Sequence, residues 1–105
     1  MSKHEASFQV GQVIHHRLFD YLGVVFDVDP VFQGTEEWYA EVARSRPPKD
    51  KPWYHVLVNG QAHTTYVAEQ NLEPVETPQK ISHPIVDELF SGFDGERYTP
   101  RQKTN

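Results

Sequence analysis

Val10-Gly-Gln-Val-Ile-His-His-Arg-Leu-Phe-Asp-Tyr-Leu-Gly-Val-Val-Phe-Asp-Val-Asp-Pro30 holds the densest run of β-branched and aromatic residues in the chain. That composition predicts two strands, Val13 to Arg17 and Gly23 to Val28. Asp20 and Gly23 bound a short connection that returns the chain antiparallel. In the second strand Val24, Phe26 and Val28 fall on one face and Val25, Asp27 and Asp29 on the other, the period of a ribbon with one face in the core. Pro30 has no amide for a ladder, so the strand stops at Asp29.

Working outward, residues 1 to 7 are polar and unpatterned and are expected to fray. Phe8 is the first residue that calls for burial, and Gly11 marks a turn or bulge at the entry to the sheet. Beyond Pro30, Thr35-Glu-Glu-Trp-Tyr-Ala-Glu-Val-Ala-Arg44 reads as a short helix. Thr35 serves as N-cap, Glu36 and Glu37 suit the first turn, and Trp38 and Val42 lie four apart on one stripe. Pro47 and Pro48 end the helix, and Arg44 to Pro52 is a basic, proline-containing surface loop.

Trp53 to Val58 and His63 to Ala68 are strand-like runs around Asn59-Gly60, a strong hairpin signal. With those two residues as the whole loop, Val58 faces Gln61 and Trp53 faces Tyr66. A loop that takes in Gln61 and Ala62 shifts this register. Ala68 to Val75 predicts one tight helical turn and a short strand, with Pro74 on an edge. From Glu76 the composition turns to Pro, Ser, Thr, Gly and charge, broken by the apolar island Ile85 to Phe90. Tyr98 to Asn105 is expected to be disordered. The element order predicts a mainly β fold: a small, closed antiparallel barrel of about five strands with one short helix, filled by its own side chains.

The chain has 105 residues, 37% of them hydrophobic, which suits one domain with a single modest core. No run approaches the roughly 18 apolar residues of a membrane span, and Met1 to Phe8 lacks a basic and apolar leader, so a soluble chain without a membrane partner is expected. The sequence has no cysteine, which removes disulfides, thiol catalysis and Cys-based zinc sites and fits a reducing, cytoplasmic setting. A formal net charge of −5 opposes nucleic-acid binding by the chain as a whole.

Five groups of residues are candidates for chemistry or contact. His15, His16, Asp27 and Asp29 are metal-ligand types on neighbouring strands, but adjacent strand residues point to opposite faces, so no metal site is expected. Under the two-residue-loop register His55 and His63 fall on opposite faces of the hairpin. Neither a nucleophile elbow, a phosphate loop nor a glycine-rich fingerprint is present, so no catalytic residues and no cofactor are expected. Arg44, Arg46, Lys49 and Lys51, with His16, Arg17 and Tyr21, form a candidate DNA-binding surface, weak and salt-dependent by charge arithmetic. Trp38, Trp53 and Tyr54 belong to a surplus of aromatics that either closes the barrel ends or makes protein interfaces. Ile85, Leu89 and Phe90 are either a strap on the barrel or a docking segment.

Several of these motifs occur together in order: Phe8-x-x-Gly11-Gln-x-Ile14-x-His16-Arg-x-Phe19-x-Tyr21, then Gly-Val-Val-Phe-Asp-Val-Asp-Pro30, Thr35-Glu-Glu-Trp38, Pro52-Trp-Tyr-His55 and Tyr66-Val-Ala-Glu-Gln-Asn-Leu72. In this the chain resembles the HspQ/YccV-like family of heat shock proteins, also called the hemimethylated-DNA-binding domain family. The resemblance implies an SH3-like barrel over 8–76, flanked by a flexible segment 1–7 and a tail 77–105 with its short apolar segment 85–90. It further implies a homo-oligomer, a trimer, and a cytoplasmic, non-enzymatic stress response. In that role the protein modulates ATP-dependent, Lon-type proteolysis of denatured proteins and of the replication initiator DnaA. Protease and protein substrates are then the partners, with hemimethylated DNA as the alternative. The tight Asn59-Gly60 turn departs from long-loop members of the family.

Overall fold

Strands β1 (Val13–His16) and β2 (Leu22–Asp29) form where the β-branched runs lie. The computed structural model describes residues 6–43 and 45–101 and pairs the two strands antiparallel, Val13 opposite Val24 and His15 opposite Leu22. Strands β3 (Trp53–Val58) and β4 (Thr64–Ala68), a 3-10 turn at Glu69–Asn71 and β5 (Leu72–Pro74) complete an antiparallel sheet of order β4-β3-β2-β1-β5. Pro74 lies on an edge, as its missing amide requires. The expected barrel is not closed: β4 and β5 are edges that do not pair with each other, so the sheet is barrel-like and open along β4.

The expectation of one buried face on β2 is also corrected. Val24 and Val25 point to opposite sides, and both are fully buried. A bulge at Phe26 interrupts the register between Val25 and Asp27, which returns Val28 to the side of Val25. On that side Ile14, Val25, Tyr54, Val56 and Leu72 pack with Phe8. On the other side Val13, Val24 and Leu57 pack against Ile81, Phe90 and Tyr98.

The second cluster exists because the C-terminal segment folds over the sheet as helix α2 (Val86–Leu89) and the hairpin β6 (Phe90–Phe93) and β7 (Tyr98–Pro100). Burying side chains such as Val13, Val24 and Leu57 contributes about 1.5–3 kcal/mol each, a large share of a net stability of about 5–15 kcal/mol. That gain outweighs the polar composition from which disorder was expected at Tyr98. Tyr98 anchors the segment: its amide donates to Gly11 at 2.7 Å, and its buried hydroxyl accepts the Ile81 amide at 2.6 Å. Gly11 takes φ 95°, and a side chain there would run into the Tyr98 carbonyl. Residues 102–105, part of the same expectation, lie outside the described residues, as do 1–5 of the expected frayed start.

The short helix α1 spans Glu36–Val42, and the Thr35 hydroxyl accepts the Trp38 amide at 3.1 Å. Its buried residue is Tyr39, while Val42 of the expected Trp38–Val42 stripe is 54% exposed. Tyr39 packs with Trp53 and Ala68, and Phe32 and Trp38 close over that cluster.

The β3–β4 register is shifted by two residues from the two-residue-loop reading, with Trp53 opposite Ala68 and Leu57 opposite Thr64. Gly60 takes φ 79°, while Asn59 is not among the residues with positive φ, so the bend is not a type I′ turn and does not carry the strand twist directly across. Asn59 and Gly60 bond instead to Ser82 of the C-terminal segment, Asn59 Oδ1 accepting its amide at 2.8 Å and the Gly60 amide donating to its carbonyl at 2.8 Å.

Candidate functional site

The aromatic candidates divide by burial. Trp53, Tyr54 and Phe90 are at most 2% exposed, so they serve chiefly as core, and of the three Trp53 also reaches the lining of a groove beside β4. Trp53 Nε1 donates to the Pro48 carbonyl at 3.1 Å. The Tyr54 hydroxyl donates to Glu69 and accepts the Phe8 amide, and burial together with the Glu69 carboxylate pushes its pKa up. Tyr54 is thus a hub of the core. Trp38, Ile85 and Leu89 are half-buried. Trp38 packs on Phe32, Trp53 and Tyr66, and Ile85 and Leu89 pack on the second cluster as a strap.

The basic surface does not assemble as expected. His16 is buried, and its Nδ1 accepts the amides of Leu18 and Phe19 at 3.1 and 3.0 Å. Its pKa is lowered by burial and then by neighbouring His15. Tyr21 is half-buried with its hydroxyl bonded to Thr65 at 2.7 Å, and burial raises its pKa. Neither presents a phosphate contact. Lys49 pairs with Glu36 at 2.8 Å and lies over the Tyr39 ring at 4.2 Å. Arg17, Arg46 and Lys51 are exposed, and Arg44 lies outside the described residues.

The histidines and acids regroup as well. His15 is held between Asp20 at 2.6 Å and Glu73 at 2.8 Å, and these hydrogen bonds, the Asp20 one first, raise its pKa. Asp27, Asp29 and His55 each place one ligand-type atom within 4.8 Å of the others. Asp29 is already engaged there, accepting the Tyr66 hydroxyl at 2.7 Å and facing His55 Nε2 at 3.1 Å. Burial first, and then the bond to Asp29, push the Tyr66 hydroxyl up. His15 and His16 play no part in this trio, because one faces Asp20 and Glu73 and the other faces the core.

What the sequence reading missed is a groove of about 590 Å³ on the open side of the sheet. All five residues of β4 line it, together with Leu18 and Phe19 from the β1–β2 turn and Trp38 and Val42 from α1. The expectation of a self-filled barrel without a concave site fails here, because an open sheet leaves space that a closed one would fill. Leu18, Phe19 and Val42 are the exposed large hydrophobics among the described residues, at 60%, 74% and 54%, and all three line this one groove. The signal was present in the chain: a tight turn ordinarily carries polar residues, and this one carries Leu18-Phe19. The described lining includes Glu41 and neither Lys nor Arg, with Arg44, between lining residues Ala43 and Ser45, outside the described residues.

A small open β-sheet with one apolar, concave edge has the build of a domain that binds other molecules by surface contact. The chain belongs to the YccV-like family: the family model described as hemimethylated DNA-binding protein YccV like matches residues 6–97. The match takes in the covering segment as far as Arg97 and stops short of β7 and its anchor Tyr98. No helix among the described residues is long and apolar enough to cross a membrane.

Proposed function

We propose that this chain is a non-enzymatic interaction module that modulates ATP-dependent, Lon-type proteolysis of denatured proteins and of the replication initiator DnaA. It acts in the cytoplasm as a small homo-oligomer, a trimer on the resemblance. The observation that supports this reading is the gathering of Leu18, Phe19 and Val42 around one groove. Exposed apolar side chains on a soluble surface mark contact with another polypeptide, and denatured proteins offer apolar chain to meet them.

The test adds the purified full chain to a Lon-type protease with a denatured substrate and follows degradation. A changed rate that Phe19→Ser abolishes supports the reading, and an unchanged rate removes it. Truncation is a poor control, since removing the C-terminal segment strips the cover from Val13, Val24 and Leu57.

Hemimethylated-DNA binding is the second reading, favoured by the family description. Arg17, Arg46 and Lys51 are its exposed cations, set against a net charge of −5. Titrating unmethylated, hemimethylated and fully methylated duplexes at two salt concentrations tests it. A preference for the hemimethylated duplex that survives at the higher salt supports it.

A further inference from the structure

The two edges of the sheet are unlike each other. Edge strand β5 carries Glu73 and Pro74, a charge and an imino acid that discourage further pairing. Edge strand β4, Thr64-Thr-Tyr-Val-Ala68, carries neither, and its outer side pairs with no strand among the described residues. Successive side chains of a strand point to opposite faces, so a groove that meets all five residues of β4 runs along its edge, where the outward amides and carbonyls lie.

We propose that this edge accepts a sixth strand: an extended, apolar, non-acidic segment of an unfolded polypeptide, bound by β-augmentation. The proposal rests on the interaction-module reading above and names what its groove holds.

Four properties of the site specify this occupant. An unpaired strand edge satisfies its backbone groups best with another extended backbone, and a ladder along five residues is about 16 Å long. Leu18, Phe19 and Val42 beside that edge reward apolar side chains on the incoming segment. Glu41 in the lining, in a chain of net charge −5, favours an apolar stretch flanked by Lys or Arg over an acidic one. Finally, three exposed side chains offer a few hundred Å², far below the roughly 1,200–2,000 Å² that a stable subunit contact buries. A short segment held transiently fits that area better than a second copy of the chain.

The experiment uses the full chain and a fluorescein-labelled heptapeptide of alternating valine and threonine, flanked by lysines, followed by fluorescence anisotropy. Two further peptides carry N-methyl groups on one or the other set of alternate amides. Because only every second amide of a strand faces its partner, one methylated peptide should bind about ten-fold more weakly and the other about as well as the parent. Phe19→Ser and Val42→Ser, both at exposed positions and checked for native circular dichroism, should each weaken the parent peptide by a similar factor. Absence of saturable binding, or equal loss with both methylation patterns, overturns the proposal. So does sedimentation showing a self-associated chain whose β4 edge the peptide cannot reach, an outcome that assigns the groove to a second copy. Altered proteolysis without peptide binding removes the sixth strand and leaves the interaction-module reading standing. Peptide binding without any effect on proteolysis leaves the sixth strand standing and removes the role in proteolysis.

Discussion

The imidazole of His16 stacks on the ring of Phe19, centroids 4.8 Å apart and planes 23° from parallel, while its Nδ1 accepts the Phe19 amide at 3.0 Å. One buried side chain therefore holds a surface turn through both its ring face and its lone pair. Asp20 closes the same turn with φ 58° and an amide bonded to the His16 carbonyl at 2.9 Å. Leu18 and Phe19 are thereby presented at the groove by a fixed turn, which spares a partner the ordering of a loose loop.

This arrangement sets a pH dependence. Nδ1 accepts only while His16 is unprotonated, and its pKa in the folded chain lies below the ordinary 6.5. The unfolded chain then takes up the proton first, so the stability tied to His16 is complete above about pH 6.5 and is lost as pH falls toward the folded value. His15 acts oppositely, because Asp20 and Glu73 raise its pKa. Its contribution is complete below about pH 6.5 and fades as pH rises through the folded value, and solvent screening keeps it small. Urea midpoints between pH 5 and 8 should fall less on acidification in His16→Gln than in the parent, and more steeply in His15→Gln. A shallower acid fall in His15→Gln would sink this assignment.

Two leucines of equal chemistry should separate core from surface. Leu57 is fully buried in the second cluster, whereas Leu18 is 60% exposed at the groove. Leu57→Ala should destabilise by about 2–5 kcal/mol through lost burial and the cavity left behind. Leu18→Ala should stay within about 0.5 kcal/mol. Chemical denaturation of both variants checks the contrast, and comparable losses at the two sites would contradict the burial assigned to them.

Much of the fold was legible because local signals and tertiary packing agree. Thr35 caps its helix, Pro74 sits on an edge, and the run from Val13 to Asp29 makes the central hairpin. Two of the misreadings share one cause, a partner distant in sequence. Asn59-Gly60 promises a two-residue hairpin by itself, but both residues bond to Ser82, 23 and 22 positions away. Tyr98 sits in a polar segment and becomes core only because Gly11 and Ile81 receive it. The groove stayed hidden for a related reason. Leu18, Phe19 and Val42 come together only when the sheet fails to close, and pattern within a strand carries no information about closure.

Salt dependence will measure how much of the surface can meet nucleic acid. Arg17, Arg46 and Lys51 are the exposed described cations of the candidate patch, while Lys49 is held by Glu36. With a slope near −0.9 per neutralised phosphate, three contacts per chain give a log–log slope of about −3. Lys51→Ala should reduce it by about one, whereas Lys49→Ala should change it less because its charge is already engaged. A markedly steeper slope would mean that several chains pool their patches, or that cations beyond these three take part.

The C-terminal segment should behave as structure. Tyr98→Phe keeps the ring in its pocket and removes the acceptor of the buried Ile81 amide, a loss of about 1–3 kcal/mol. A chain ending at residue 76 goes further and exposes Val13, Val24 and Leu57 together. It should bind the dye ANS and lose the cooperative urea transition of the full chain. If the shortened chain instead unfolds cooperatively at the parent midpoint, the second cluster contributes nothing to stability and β2 works as a one-faced ribbon after all. The two variants thus bracket the same packing, one removing a single hydrogen bond and the other the whole cover. Their destabilisations should rank in that order.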